Sequence, residues 1–357
     1  MRVLYLTPTG VFSGGERVTL SIAGEMRLRG HETVYCGLEG PVRSHVEAAG
    51  VPFLALPRFT PETVRRAVAQ CAPDLIHTMD FRASTYAALT GLPFVAHLHH
   101  NPPWLPGLSP NVFAMRFFCR RAARILTVSE SVMGEFRYGA AFRDKTAVLG
   151  NAVDLAAVRK AAEEPLPACL ADRGARGFDL AFFGRLTEPK QPLRFLDVLA
   201  ALRKRLPELT AVMVGEGELR PQVEEGIRVN GLSDCVMLTG FLKNPFPVLK
   251  RSRLLVMPSA WEGFGLAAVE SMALGLPVLA SPVGGLAGIV GPDCGVLCET
   301  DPDFTDAAER LLTEEARYAA FSQAALRRAG DYGDLAGYFD AIAGLYAQLE
   351  EEGCACC

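Results

Sequence analysis

This sequence of 357 residues predicts an α/β protein built on parallel sheets. Short apolar runs alternate with longer amphipathic stretches, and strand then helix, repeated, closes as a parallel sheet with right-handed crossovers. The alternation breaks near residue 154, in a charged stretch rich in Ala, Pro and Gly, and then starts again. A chain of this length that runs the pattern twice is expected to form two doubly wound domains facing each other.

In the first half, strands are expected at 2–6, 32–37, 75–78, 94–97 and 125–128, with helical periodicity at 16–29 and 63–72. Residues 154–177 read as a connection. Further strands follow at 179–183, 210–214, 236–239, 254–257 and 278–280. The domains are therefore placed at 1–153 and 178–334. The last helical pattern, at 335–351, fits either of them by its amphipathicity alone. Ligands of such sheets bind outside the carboxyl ends of the strands, so the expected site is a cleft between the domains.

Composition supports a globular chain: half the residues are apolar and 21% are charged. The opening "MRVLYLTPTG" is too short an apolar run for a signal peptide or a membrane span, so a soluble cytoplasmic protein is expected. Cys36, Cys71, Cys119 and Cys235 each stand alone among apolar residues, as reduced core cysteines do. The tail Cys354–Cys357 reads as a frayed, reduced terminus, with metal binding and lipidation as alternatives. Residues 1–150 carry a net charge of +5 and the remainder −9, so the first half is the one suited to anionic partners. No nucleic-acid partner is expected.

Three Gly-bearing turns follow expected strands. "TPTGVFSGGERV" opens a helix, so Gly14 and Gly15 would offer bare N–H groups at its positive end. This is neither a dinucleotide fingerprint nor a P-loop, and a plain tight turn fits equally well. "FFGRLTEPKQP" sets Arg185 and Lys190 just past a strand end, after Gly184, where two cations could clamp a diphosphate or simply be solvated.

The third turn, in "PSAWEGFGLAAVESMALGLPVLAS", puts Glu262 and Glu270 into an otherwise apolar segment. The N–H groups of Gly265 and Leu266 would start a helix aimed at the cleft. Fully helical, residues 262 and 270 would stand about 12 Å apart. That span could hold the hydroxyls of two sugars joined through a diphosphate; the bland alternative is a helix-cap acid and an exposed helix residue.

The E-x7-E of "EGFGLAAVE", preceded by "PS" and followed by "ALGLPVLASPVGG", resembles the donor-site signature of retaining GT-B glycosyltransferases of family four. "SGGER", "ILTVSES", "VLGNAVD", "FFGRLTEPKQP", "VMVGEGEL" and "VMLTGFL" resemble further family segments in the same order, so the likeness spans nearly the whole chain. It implies two Rossmann-like domains with an interdomain cleft, and sugar transfer from a nucleotide diphosphate sugar to a hydroxyl acceptor such as a glycan, a small molecule or a lipid-linked sugar. In the family's pattern Arg185 and Lys190 neutralise the diphosphate, assisted by the amides of Gly263, Phe264, Gly265 and Leu266. Glu262 holds the donor sugar, Glu270 the ribose, and the backbone near Phe241 and Leu242 faces the base. Gly14 and Gly15 approach from the other domain, His99 of "VAHLHH" stands beside the transferred sugar, and the helix at 335–352 returns to the first domain. No metal or other cofactor is required, because cations and helix-end amides can stabilise the leaving diphosphate. Where the family often has Asp, this chain has Ser252 and Arg253, which puts the local packing in question.

His97 and His99 would share one side of a strand, yet no nearby Cys, Asp or Glu completes a zinc site. "NVFAMRFFCRRAARIL" carries Arg116, Arg120 and Arg124 at helical spacing beside Arg121 and three Phe, so 111–126 could lie on an anionic membrane or be a buried helix with a cationic edge. A nucleotide-sugar epimerase and a noncatalytic sugar-nucleotide-binding protein are the rival functions.

Overall fold

The computed structural model describes residues 1–168, 170 and 177–354. The chain divides into two compact units, Met1–Asn151 with Leu335–Cys357, and Ala152–Asp334.

The first unit runs β1 (Arg2–Leu6), α1 (Gly14–Leu28), β2 (Glu32–Leu38), α2 (Val42–Ala48), β3 (Phe53–Leu56), α3 (Pro61–Cys71), β4 (Leu75–Thr78), α4 (Phe81–Ala87), β5 (Phe94–Leu98), α5 (Pro110–Arg121), β6 (Arg124–Thr127), α6 (Glu130–Glu135) and β7 (Thr146–Val148). Its seven strands are ordered β3-β2-β1-β4-β5-β6-β7, every pairing parallel. Side chains alternate across the sheet. Leu4, Leu6, Ile76, Phe94, Ala96 and Leu98 enter the core with Val64, Ala67, Val112, Met115 and Phe118 of the helices on that face. Thr60 and Ser109 cap α3 and α5, each with Pro at the start of the helix, where its missing N–H costs nothing.

The second unit runs α7 (Leu155–Ala161), β8 (Phe178–Phe183), α8 (Pro192–Arg203), β9 (Ala211–Val214), α9 (Arg220–Val229), β10 (Val236–Gly240), α10 (Phe246–Lys250), β11 (Ser252–Met257), α11 (Leu266–Met272), β12 (Val278–Ala280), α12 (Leu286–Ile289), β13 (Gly295–Leu297), α13 (Asp301–Thr313) and α14 (Glu315–Gly330). Six parallel strands are ordered β10-β9-β8-β11-β12-β13. The final helix, α15 (Leu335–Cys354), belongs to the first unit: Tyr346 meets Tyr5 of β1 and His77 of β4, and Asp340 pairs with Arg29.

Three strands lie outside the sequence expectation: β3, β7 and β13. Each is a partly exposed edge strand of three or four residues: β7 and β13 are too short to stand out, and periodicity alone does not assign the apolar run FLAL of β3 to a strand. The stretch expected to be a connection carries α7, capped by Asp154, whose carboxylate accepts from the Ala157 N–H at 2.8 Å.

Packing around Ser252 and Arg253 is satisfied without the Asp. Ser252 donates to the Val248 carbonyl at 3.0 Å, and the Arg253 guanidinium lies 4.5 Å over the Tyr318 ring and pairs with Glu315. The described cysteines include buried, unpaired Cys36, Cys119 and Cys298, whose thiols burial pushes up to about 12. Of the cysteine-rich tail, residues 355–357 lie outside the described residues. Among the described residues no helix is long and apolar enough to cross a membrane.

Candidate functional site

In a doubly wound sheet the strand order reverses at a switch point, and the loops leaving the two strands there splay apart to admit a ligand. In the second unit that point lies between β8 and β11. The β8 loop supplies Gly184, Arg185 and Lys190; the β11 loop supplies Glu262, Gly263, Phe264 and Gly265. The two loops are tied by the Ala260 N–H donating to the Pro189 carbonyl at 2.9 Å. The Lys190 ammonium, from a short 3-10 turn (Glu188–Lys190), donates to the Glu262 carboxylate. Both side chains are mostly withdrawn from water, at 21% and 13% exposure. Arg185 is exposed; its carbonyl accepts from the Thr187 N–H at 3.0 Å, while its guanidinium has no hydrogen-bond partner among the described residues.

Neighbouring loops close around this pair. Leu186 donates to the Glu216 carbonyl at 2.9 Å, and Gly285 donates to the Gly263 carbonyl at 2.8 Å. Gly265 initiates α11 in the left-handed region at φ +102, and a Cβ there would stand 2.7 Å from Leu286 Cδ2. Gly265→Ala is therefore expected to lower folding stability by about 1 to 3 kcal/mol through backbone strain and overlap. An unchanged urea midpoint would refute that placement.

Glu270 sits in the second turn of α11 and is buried at 2% exposure, so it is no exposed helix residue. Because α11 begins only at Leu266, helical spacing does not describe the path from Glu262 to Glu270. Phe241, just past β10, is 69% exposed, an unusual position for an aromatic ring, and Leu242 beside it is half-buried.

In the first unit Gly14 and Gly15 open α1, and a Cβ on Gly15 would meet nothing within 4 Å. The turn is held by a feature the glycines obscured in the sequence. Glu16 accepts from the Ser13 N–H at 3.0 Å and from the Ser13 hydroxyl at 2.5 Å, the S-x-x-E capping arrangement. His99 follows β5, one strand beyond the β1/β4 switch point. Its ring is 4.1 Å from that of His97, and its buried Nε2 has no partner among the described residues. Burial, then His97 and His100, hold it well below the ordinary imidazole range, so it is neutral. Among the described residues no group of three or more His, Cys, Asp and Glu is arranged to hold a metal ion.

The segment 111–126 is not one helix. Helix α5 stops at Arg121, Ala122 turns extended, and Arg124 already belongs to β6, where it pairs with Glu352. Arg116 lies over Tyr138 and Arg121 over Phe117. Val112, Met115, Phe118 and Cys119 are buried, while Phe113 is exposed.

Comparison with known proteins now decides the family. Residues 12–157 match the family described as Glycosyltransferase Family 4, and residues 177–314 match that described as Glycosyl transferases group 1. The chain belongs to the group 1 glycosyltransferases. Its fold is GT-B: the crystal structure of HepE of Anabaena, in complex with UDP-glucose, superposes with a TM-score of 0.83 over 98% of this chain and 100% of that one, at 21% identity. Among sequence relatives of this family member, the alpha-D-kanosaminyltransferase of Streptomyces kanamyceticus is 31% identical over 179 residues, 47% of this chain and 45% of that protein. The lipopolysaccharide core biosynthesis mannosyltransferase LpsB of Rhizobium meliloti is 29% identical over 177 residues, 47% of this chain and 50% of that protein. The chain spans about half the length of the curated relatives it matches.

Two features of this family member lay beyond sequence reasoning. Lys190 and Glu262, 72 residues apart, were expected to act on different parts of a ligand, and they grip each other. His77 and Tyr346 join His97 in one buried chain; "LIHT" and "AGLYAQ" read as ordinary strand and helix, and only the fold brings them together.

Proposed function

We propose that this protein is a retaining glycosyltransferase that moves a sugar from a nucleotide diphosphate sugar to a hydroxyl acceptor, in cell-envelope or polysaccharide biosynthesis. The observation that carries the reading is the Lys190–Glu262 pair at the β8/β11 switch point, with the exposed Arg185 guanidinium on the same loop. An ammonium has three donors, so Lys190 can serve Glu262 and a phosphate oxygen together. Glu262, fixed by that contact, keeps lone pairs for donor-sugar hydroxyls. Gly265 and Leu266 offer amides to the diphosphate, Glu270 takes the ribose hydroxyls, and Phe241 stacks on the base.

In this reading the bond from the anomeric carbon to the β-phosphate oxygen breaks as Arg185 and Lys190 take up the charge. The acceptor oxygen bonds to the same face of that carbon, and its proton passes to the departing phosphate. Neutral His99 hydrogen-bonds the transferred sugar. Gly14 and Gly15 serve the phosphates. Because the cations are protein groups, turnover is expected to persist in EDTA.

A thermal-shift screen of UDP- and GDP-sugars tests the reading: ligand at a hundredfold excess over Kd stabilises by about 2.7 kcal/mol. Released nucleotide and a new α-linked product from an α-linked donor are expected. Binding without turnover would make it a binding protein, and isomerised donor without acceptor would make it an epimerase.

A further inference from the structure

The sheet face under α15 carries a line of buried polar groups that the proposed transfer does not use. Tyr5 of β1 and His77 of β4 are register partners, His97 lies two residues beyond the next partner on β5, and Tyr346 reaches them from α15. All four are 0% exposed. The Tyr346 hydroxyl is 3.1 Å from that of Tyr5 and 2.5 Å from His77 Nδ1. His77 Nε2 is 3.1 Å from His97 Nδ1. His97 Nε2 has no partner among the described residues, and its ring lies against that of His99.

Counting protons gives the chain a direction. Burial lowers His77 to about 3 and His97 well below its ordinary range, and raises both tyrosines, so each of the four groups is neutral with one polar hydrogen. If Tyr5 donates to Tyr346, Tyr346 donates to His77 Nδ1 and His77 Nε2–H donates to His97 Nδ1. Every contact is then satisfied, and one donor, His97 Nε2–H, is left over. Run the other way, the chain strands the Tyr5 hydrogen as well as a bare lone pair on His97 Nε2. Mixed directions set two donors or two acceptors head to head. A buried unmade hydrogen bond is costly, so the first direction prevails.

We propose that Tyr346 is a positioning residue for His99: through His77 it fixes the tautomer of His97, as Nε2–H, and with it the setting of the ring that lies against His99. The functional consequence rests on the proposed role of His99 at the transferred sugar; the tautomers do not. The nitrogen that carries the proton of an imidazole is set by what the other nitrogen bonds, so a hydroxyl on α15 governs a histidine near the carboxyl end of β5.

Nitrogen-15 imidazole spectra of the full chain, which has six histidines, test this directly. Wild type is expected to show Nε2–H tautomers at His77 and His97. Tyr5→Phe leaves them unchanged, because Tyr5 only donates at the head of the chain, whereas Tyr346→Phe gives mixed tautomers at both. With UDP-glucose and GDP-mannose as probes, Tyr346→Phe is expected to lower kcat roughly 3- to 10-fold with KM unchanged, the worth of one hydrogen bond. In a His99→Ala background it should lower kcat no further. Nδ1–H at His97 in wild type, or tautomers shifted by Tyr5→Phe, overturns the proposal even if Tyr346→Phe does not fold. A wild type that consumes neither probe counts against the proposed transfer and leaves the tautomer spectra to decide the chain.

Discussion

Lys190→Ala is expected to slow donor turnover by about 100- to 1000-fold while changing nucleotide affinity much less. That is the usual scale for removing one preorganised group from a developing oxyanion. In the proposed transfer the bound diphosphate already carries its negative charge in the ground state, shared with Arg185 and the loop amides. New charge appears on the β-phosphate oxygen only as the sugar leaves, and an interaction that strengthens at that moment is read in kcat. The ion pair adds a second component. Glu262 is 13% exposed, and without Lys190 its carboxylate loses the contact that orients it. Lys190→Ala and Glu262→Gln should therefore be non-additive, because the two residues act through one contact. Lys190→Arg keeps the charge but spreads it over a planar fork, so it should recover only part of the rate. Stopped-flow or single-turnover measurement separates chemistry from release. Equal losses in Kd and kcat/KM would mean that Lys190 only binds, and the assignment of its role would fall.

How much of this was legible in the sequence follows from where each signal resides. The β1, β4 and β12 spans and the order of elements could be read because central parallel strands are apolar on both faces and stand out as runs. The edge strands β3, β7 and β13 are not legible in this way: β7 and β13 span only three residues each, and β3 is a run of four apolar residues that periodicity alone does not assign to a strand. Gly265 was marked by its motif, and its left-handed φ gives the physical reason. The helical spacing of the arginines in 111–126 carries on past Ala122, where the backbone leaves the helix to begin β6, so spacing alone does not show where α5 ends. Lys190 with Glu262, and His77 with Tyr346, are products of topology: the first pair meets at a strand-order reversal and the second because α15 returns to the first sheet.

Glu270→Ala should raise the dissociation constant of the donor nucleotide about 10- to 100-fold, from the loss of hydrogen bonds between a carboxylate and two vicinal hydroxyls at roughly 1.5 to 3 kcal/mol in total. Glu270 is buried at 2% exposure on α11, a short helix whose first residue follows the left-handed Gly265, so its carboxylate is held within the packed domain. Ordering a ligand against a fixed acceptor costs less than ordering both partners. The same burial complicates a simple alanine result, since Glu270 also has contacts within the protein. A ligand-side comparison removes that ambiguity. The wild type should bind the nucleoside diphosphate more tightly than its 2′,3′-dideoxy analogue by the same 10- to 100-fold, and Glu270→Ala should bind the two alike. Glu270→Gln keeps one acceptor oxygen and should fall between. If the alanine variant still discriminates ribose from dideoxyribose at the wild-type ratio, Glu270 does not read the ribose. Its burial would then be a matter of holding α11 in place.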